Sequence, residues 1–161
     1  MDISGLEAIA EVAIGLAGFA GVFVALTREE SFARPEVVRL SFLLYTSLGA
    51  MFLALVPHAL FTTSMSDETA WRVLGILTVA HTTVLTSFLA RALSLRRDYP
   101  DIFPVHLVIF QGSQIFAALG LAICVLLVPV EDKQSFFIGT LIMLLAQAAL
   151  VFTRLLFFRR S

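Results

Sequence analysis

Residues 6–26 read LEAIAEVAIGLAGFAGVFVAL, an apolar run interrupted by two carboxylates, Glu7 and Glu11. A helix needs ~20 predominantly apolar residues to cross ~30 Å of hydrocarbon, and this run is long enough to do so. Strands of a membrane barrel would instead show ~10 residues of alternating polarity. The stretch is too long and too uniform for that, so it predicts a membrane-spanning helix.

Four further runs of the same kind follow at about residues 38–61, 69–93, 105–128 and 136–157. Between them lie short polar connections, none large enough to fold into a soluble domain. The whole chain is 59% hydrophobic and 14% charged, with a mean hydropathy of +0.95, far from the soluble globular range. These features predict an all-α polytopic membrane protein: one transmembrane domain over residues 1–161, built as a bundle of five transmembrane helices.

The basic residues set an expected orientation, because loops rich in Lys and Arg stay on the cytoplasmic side. One side of the predicted topology collects Arg28, Arg34, Arg39, Arg91, Arg96, Arg97, Arg154, Arg159 and Arg160. The other holds only Arg72 and Lys133, the latter in the connection before the fifth run, together with Asp2, Asp67, Glu68, Glu131 and Asp132. The N-terminus is therefore expected outside and the C-terminus in the cytoplasm. The N-terminal residues lack the basic region of a signal peptide, so the first helix is expected to be retained. Small size, compact loops and arginine bias suggest a multi-pass protein of a bacterial inner membrane.

At 100° per residue the first run sorts into two surfaces. Glu7, Glu11, Gly15, Gly18, Val22 and Ala25 fall on one side, beside a ladder of small residues, Ala13, Ala17, Gly21 and Ala25. Leu6, Ile9, Val12, Leu16, Phe19, Phe23 and Leu26 occupy the opposite side, expected to meet lipid or outer helices. Small residues four apart let helix backbones approach closely, so the glycine side can be a packing seam. Glu11 adds a different demand. At 1.5 Å per residue it lies on the order of 7 Å from the midplane, where a carboxylate must be protonated, paired, or in contact with water or a cation.

The other polar residues form a broken ladder by depth. His58, after Pro57 in the second run, is expected near Glu7 and Glu11. Arg72, at the start of the third, is a candidate counter-ion for either carboxylate. His81 and Gln147 fall near the midplane, Gln114 slightly below, and Gln111, Tyr45, Arg154 and His106 deeper. Structural readings compete at each position: Gln111 and Gln114 suit an interhelical hydrogen-bond seam, Thr78 and Thr82 could satisfy His81, and Arg154 could snorkel to the interface.

Several chemistries lack their signatures. Glu7, Glu11 and His58 are the only plausible local metal set and do not have the spacing that gives two strong ligands from one helix, so no metal and no cofactor are expected. Cys124 is the single cysteine, which excludes an internal disulfide. No phosphate loop, zincin helix, redox pair or nucleophile elbow is present, so no catalytic residues and no enzyme activity are expected. The arginines follow the membrane rule and build no nucleic-acid-binding domain.

The expectation is cation or proton permeation by a homo-oligomer embedded in the lipid bilayer. Glu7, Glu11, His58, His81, Gln114 and Gln147 are its candidate pathway residues, and Gly15, Gly18, Gly21, Val22 and Ala25 line the passage or pack the helix. The alternative is a non-transporting scaffold or accessory subunit that docks through the glycine-rich first helix.

Overall fold

The computed structural model describes residues 4–26 and 34–157, with side chains for 5–22 and 35–156. These residues form five helices, α1 (Ser4–Leu26), α2 (Arg34–Phe61), α3 (Asp67–Leu95), α4 (Val105–Leu127) and α5 (Val130–Phe157), and no strand. Each is long and apolar enough to cross a membrane. The chain has the architecture of a multi-pass membrane protein.

Two helix starts lie a full turn or more before the sequence-based boundaries. α2 begins at Arg34, four residues early, because Pro35 occupies its first turn, where a missing N–H has no helical partner to lose. α5 begins at Val130, and Glu131 and Asp132 sit in its first turn, where carboxylates favour the positive end of the helix dipole. Lys133 is consequently not a loop residue: it belongs to α5, and its side chain is buried. α3 is capped by Ser66, whose hydroxyl accepts a hydrogen bond from the Thr69 N–H at 3.4 Å.

Apolar periodicity dictates the packing. α5 touches all four other helices, α2 touches α1, α3 and α5, and α1 lies along α2 and α5 only. The result is an α2–α5 bundle with α1 laid against one side. Trp71 ties three helices together at one end, meeting Phe61 of α2 at 5.5 Å and Phe137 of α5 at 6.1 Å between ring centroids. Phe42 and Phe88 make the equivalent α2–α3 contact, at 5.7 Å, toward the other end. Two glycines permit close approach: Leu126 of α4 fills the space where Gly75 would carry a Cβ, and the His81 ring fills that over Gly49.

The chain thus has two chemically distinct ends. The acidic end gathers the start of α1, the end of α2, the start of α3 and the start of α5. The arginine-rich end gathers Arg39, Arg91, Arg96, Arg97 and Arg154. Arg28, Arg159 and Arg160 lie outside the described residues, as does the side chain of Arg34.

Candidate functional site

α1 turns its acidic side away from the bundle. It buries Leu6, Ile9, Ala10, Ala13 and Ala20, and packs Leu16 against the same core. Glu7, Glu11, Gly18, Gly21 and Val22 are exposed, Val22 to 56%. A Cβ built on Gly15, Gly18 or Gly21 would meet nothing within 4 Å. The close intramolecular seam is therefore made by alanines, and the glycines contribute a bare backbone strip on the outer surface. The bulky side divides as well: Leu6 and Ile9 point inward, whereas Val12 and Phe19 are exposed. The Ala25, Phe23 and Leu26 side chains lie outside the described residues.

Close to Glu7, a groove of about 470 Å³ opens between α1 and the end of α2, lined by Leu6, Glu7, Ala54, Pro57, His58 and Phe61 among others. Glu7 and His58 share this groove, as the antiparallel pairing of α1 and α2 requires, while Glu11 is not part of its lining. Pro57, inside α2, is buried beneath it. Arg72 does not neutralise either first-helix carboxylate. It pairs with Glu68 one turn earlier on α3, at 2.7 Å, with both side chains well exposed. Among the described residues no ion pair reaches Glu7 or Glu11, and no group of three or more potential metal ligands occurs.

His81 lies elsewhere, on the α2–α3 flank. Its ring stacks on Tyr45 with centroids 4.4 Å apart and planes 9° from parallel, and the Tyr45 hydroxyl donates to the His81 carbonyl at 3.4 Å. Thr78 and Thr82 do not satisfy the imidazole. Their hydroxyls donate to carbonyls of their own helix, Leu74 at 2.7 Å and Thr78 at 2.8 Å, the local bond that threonine readily makes within a helix. His81 Nε2 is buried with no protein partner and borders an apolar groove of about 410 Å³ lined by Leu48, Gly49, Phe52, Leu53, Val56 and Leu77.

Gln114 and Gln147 lie inside the α2–α5 bundle. Gln147 is fully buried, and neither its Oε1 nor its Nε2 has a protein hydrogen-bond partner; Gln114 Oε1 and Ser47 Oγ are buried and unpartnered too. Ser47 was not marked by the sequence, since a lone serine in an apolar helix usually bonds its own backbone.

At the arginine-rich end, two guanidinium groups meet on one backbone carbonyl. Arg39 Nη2 donates to Ile102 O at 2.6 Å, and Arg154 Nη2 donates to the same oxygen at 3.1 Å. Arg39 also lies over the Phe103 ring, 5.5 Å from its centroid. Arg154 is thus anchored to the α3–α4 connection and does not simply reach for the interface. Both contacts pin α2 and α5 to that connection, a clamp the sequence did not reveal because its acceptor is a main-chain oxygen.

Comparison of the chain with protein-family models, with curated proteins and with solved structures finds no match in any of the three. The arrangement of these residues therefore carries the functional argument alone.

Proposed function

We propose that the chain conducts a cation or a proton across the membrane as a homo-oligomer, with the acidic, glycine-rich side of α1 turned toward the shared path. The observation that supports this reading is the position of Glu11. It lies within a membrane span, exposed, on a helix side that none of the described residues covers. A carboxylate facing hydrocarbon is costly by at least ~2–3 kcal/mol. Copies arranged with α1 around an axis would face Glu7 and Glu11 toward water, where rings of carboxylates attract cations. Gly15, Gly18, Gly21 and Val22 would follow along the passage.

His58 would share the acidic mouth with Glu7. In this reading the acidic end faces outward, the arginine-rich end faces the cytoplasm, and the membrane is a bacterial inner membrane. The protein acts without catalysis and without a cofactor, its partners being lipid, the permeating ion and its own copies.

The bare strip at Gly18 and Gly21 also favours a second reading, in which a different membrane protein docks there and the chain is a scaffold or accessory subunit. Flux into proteoliposomes separates the two. Wild type is expected to pass cations or protons above protein-free background, and Glu11→Gln to fall to that background. Background flux from both would remove the permeation reading, and a monomer by crosslinking in bilayers would remove the shared axis.

A further inference from the structure

The α2–α5 interior divides into two unlike halves. Toward the acidic end it is filled by Leu53, Trp71, Leu74, Val125, Phe137 and Leu141, all buried. The buried threonines are satisfied by their own helices: Thr46 donates to Phe42 O at 2.7 Å and Thr140 to Phe136 O at 2.9 Å, like Thr78 and Thr82. Among the described residues five buried polar side-chain atoms have no partner: His81 Nε2 on the α2–α3 flank, and, within the bundle, Ser47 Oγ, Gln114 Oε1, and Oε1 and Nε2 of Gln147.

The atoms within the bundle belong to three helices yet lie near one level. Gly139 of α5 faces Leu121 of α4. Following the two antiparallel helices from that contact brings Gln147 and Gln114 to within about one residue rise, ~1.5 Å, of the same depth. Phe42 of α2 and Val151 of α5 line one cavity, and counting along the two antiparallel helices from them puts Ser47 within about one turn, ~5 Å, of the depth of Gln147.

That cavity is the second observation. It has a volume of about 30 Å³ and is bordered by Arg39, Phe42, Phe88, Gln111, Ile115 and Val151. Such a space admits about one or two water molecules. Gln111 places it one helical turn from Gln114, on the arginine-rich side.

We propose that bound water occupies the bundle interior at Ser47, Gln114 and Gln147 and continues into the cavity at Gln111 and Arg39, forming a hydrated half-passage that enters from the arginine-rich end and stops at mid-membrane. A buried carboxamide with both ends unpaired is strongly disfavoured, and an internal water makes about three hydrogen bonds to just such groups. The small volume and the neutral amide and hydroxyl groups along the site suit water as the occupant. The apolar packing of Leu74, Phe137 and Leu141 ends the file. This site is separate from the α1 path and is read without flux, so either proposal can fail alone.

Radiolytic hydroxyl-radical labelling of the wild-type protein in lipid nanodiscs tests it, because bound water generates radicals in place and oxidises side chains that bulk radicals cannot reach. With each rate normalised to the intrinsic reactivity of its side-chain type, buried Ile115, Leu144 and Val151 are expected to be oxidised on the order of tenfold faster than buried Leu74 and Phe137, which lie in the dry half. Equal, background labelling of all five would overturn the proposal. In Gln147→Leu the labelling of Leu144 is expected to drop toward that of Leu74; unchanged labelling in a folded variant would refute the assignment of Gln147 as the anchor.

Discussion

His81 owes its place to a missing side chain: its ring lies where a Cβ on Gly49 would be, stacked on Tyr45. Gly49→Ala must push the ring aside and is expected to lower stability by about 1–3 kcal/mol, the usual cost of overpacking. The same substitution at Gly18 meets nothing. It should leave the folded subunit unchanged or raise its stability by up to ~1 kcal/mol, since alanine favours helix. Thermal denaturation of the two variants in one detergent compares them directly. Arg72 is a contrasting case, bound to Glu68 on an exposed turn of α3. Arg72→Gln is expected to cost less than ~1 kcal/mol, because exposed ion pairs contribute little. If Glu11 acts independently of Arg72, flux in proteoliposomes is unchanged as well.

Among the elements, the α3–α4 connection depends on the two arginines that share Ile102 O. A hydrogen bond from a charged donor contributes about 1.5–3 kcal/mol, so Arg39→Leu and Arg154→Leu are each expected to loosen this connection to that extent. Because they share an acceptor, the double variant should lose less than the sum. Protease cleavage after Arg96 and Arg97, followed over time, reads the loosening. α1 makes a separate prediction. If the glycine strip lines a shared passage, Gly18→Leu and Gly21→Leu add bulk only to that exposed strip, so the subunit is expected to fold normally while flux into proteoliposomes falls. Unchanged flux in both variants would place the passage on another surface.

Taken as one molecule, the protein carries its basic residues asymmetrically, with Arg39, Arg91, Arg96, Arg97 and Arg154 at one end and only Arg72 and Lys133 at the other among the described residues. Reporter fusions at the C-terminus are expected to be active only in a cytoplasmic assay, as the arginine bias directs. The sequence by itself determined the five helices and their approximate limits, because apolar runs of spanning length admit few other backbone solutions in a membrane. Its boundaries missed where proline and acidic residues can begin a helix, as Pro35 and Glu131 do. It also identified Glu11 as a residue in need of an explanation. Only the tertiary structure decided which side of α1 faces the bundle, since periodicity defines two faces of a helix without saying which one meets its neighbours. The Glu68–Arg72 pair is a local i,i+4 contact within α3, whereas long-range packing brought Ser47 near the level of Gln114 and Gln147 and joined Arg39 and Arg154 on a main-chain oxygen, relations between helices that no local pattern encodes.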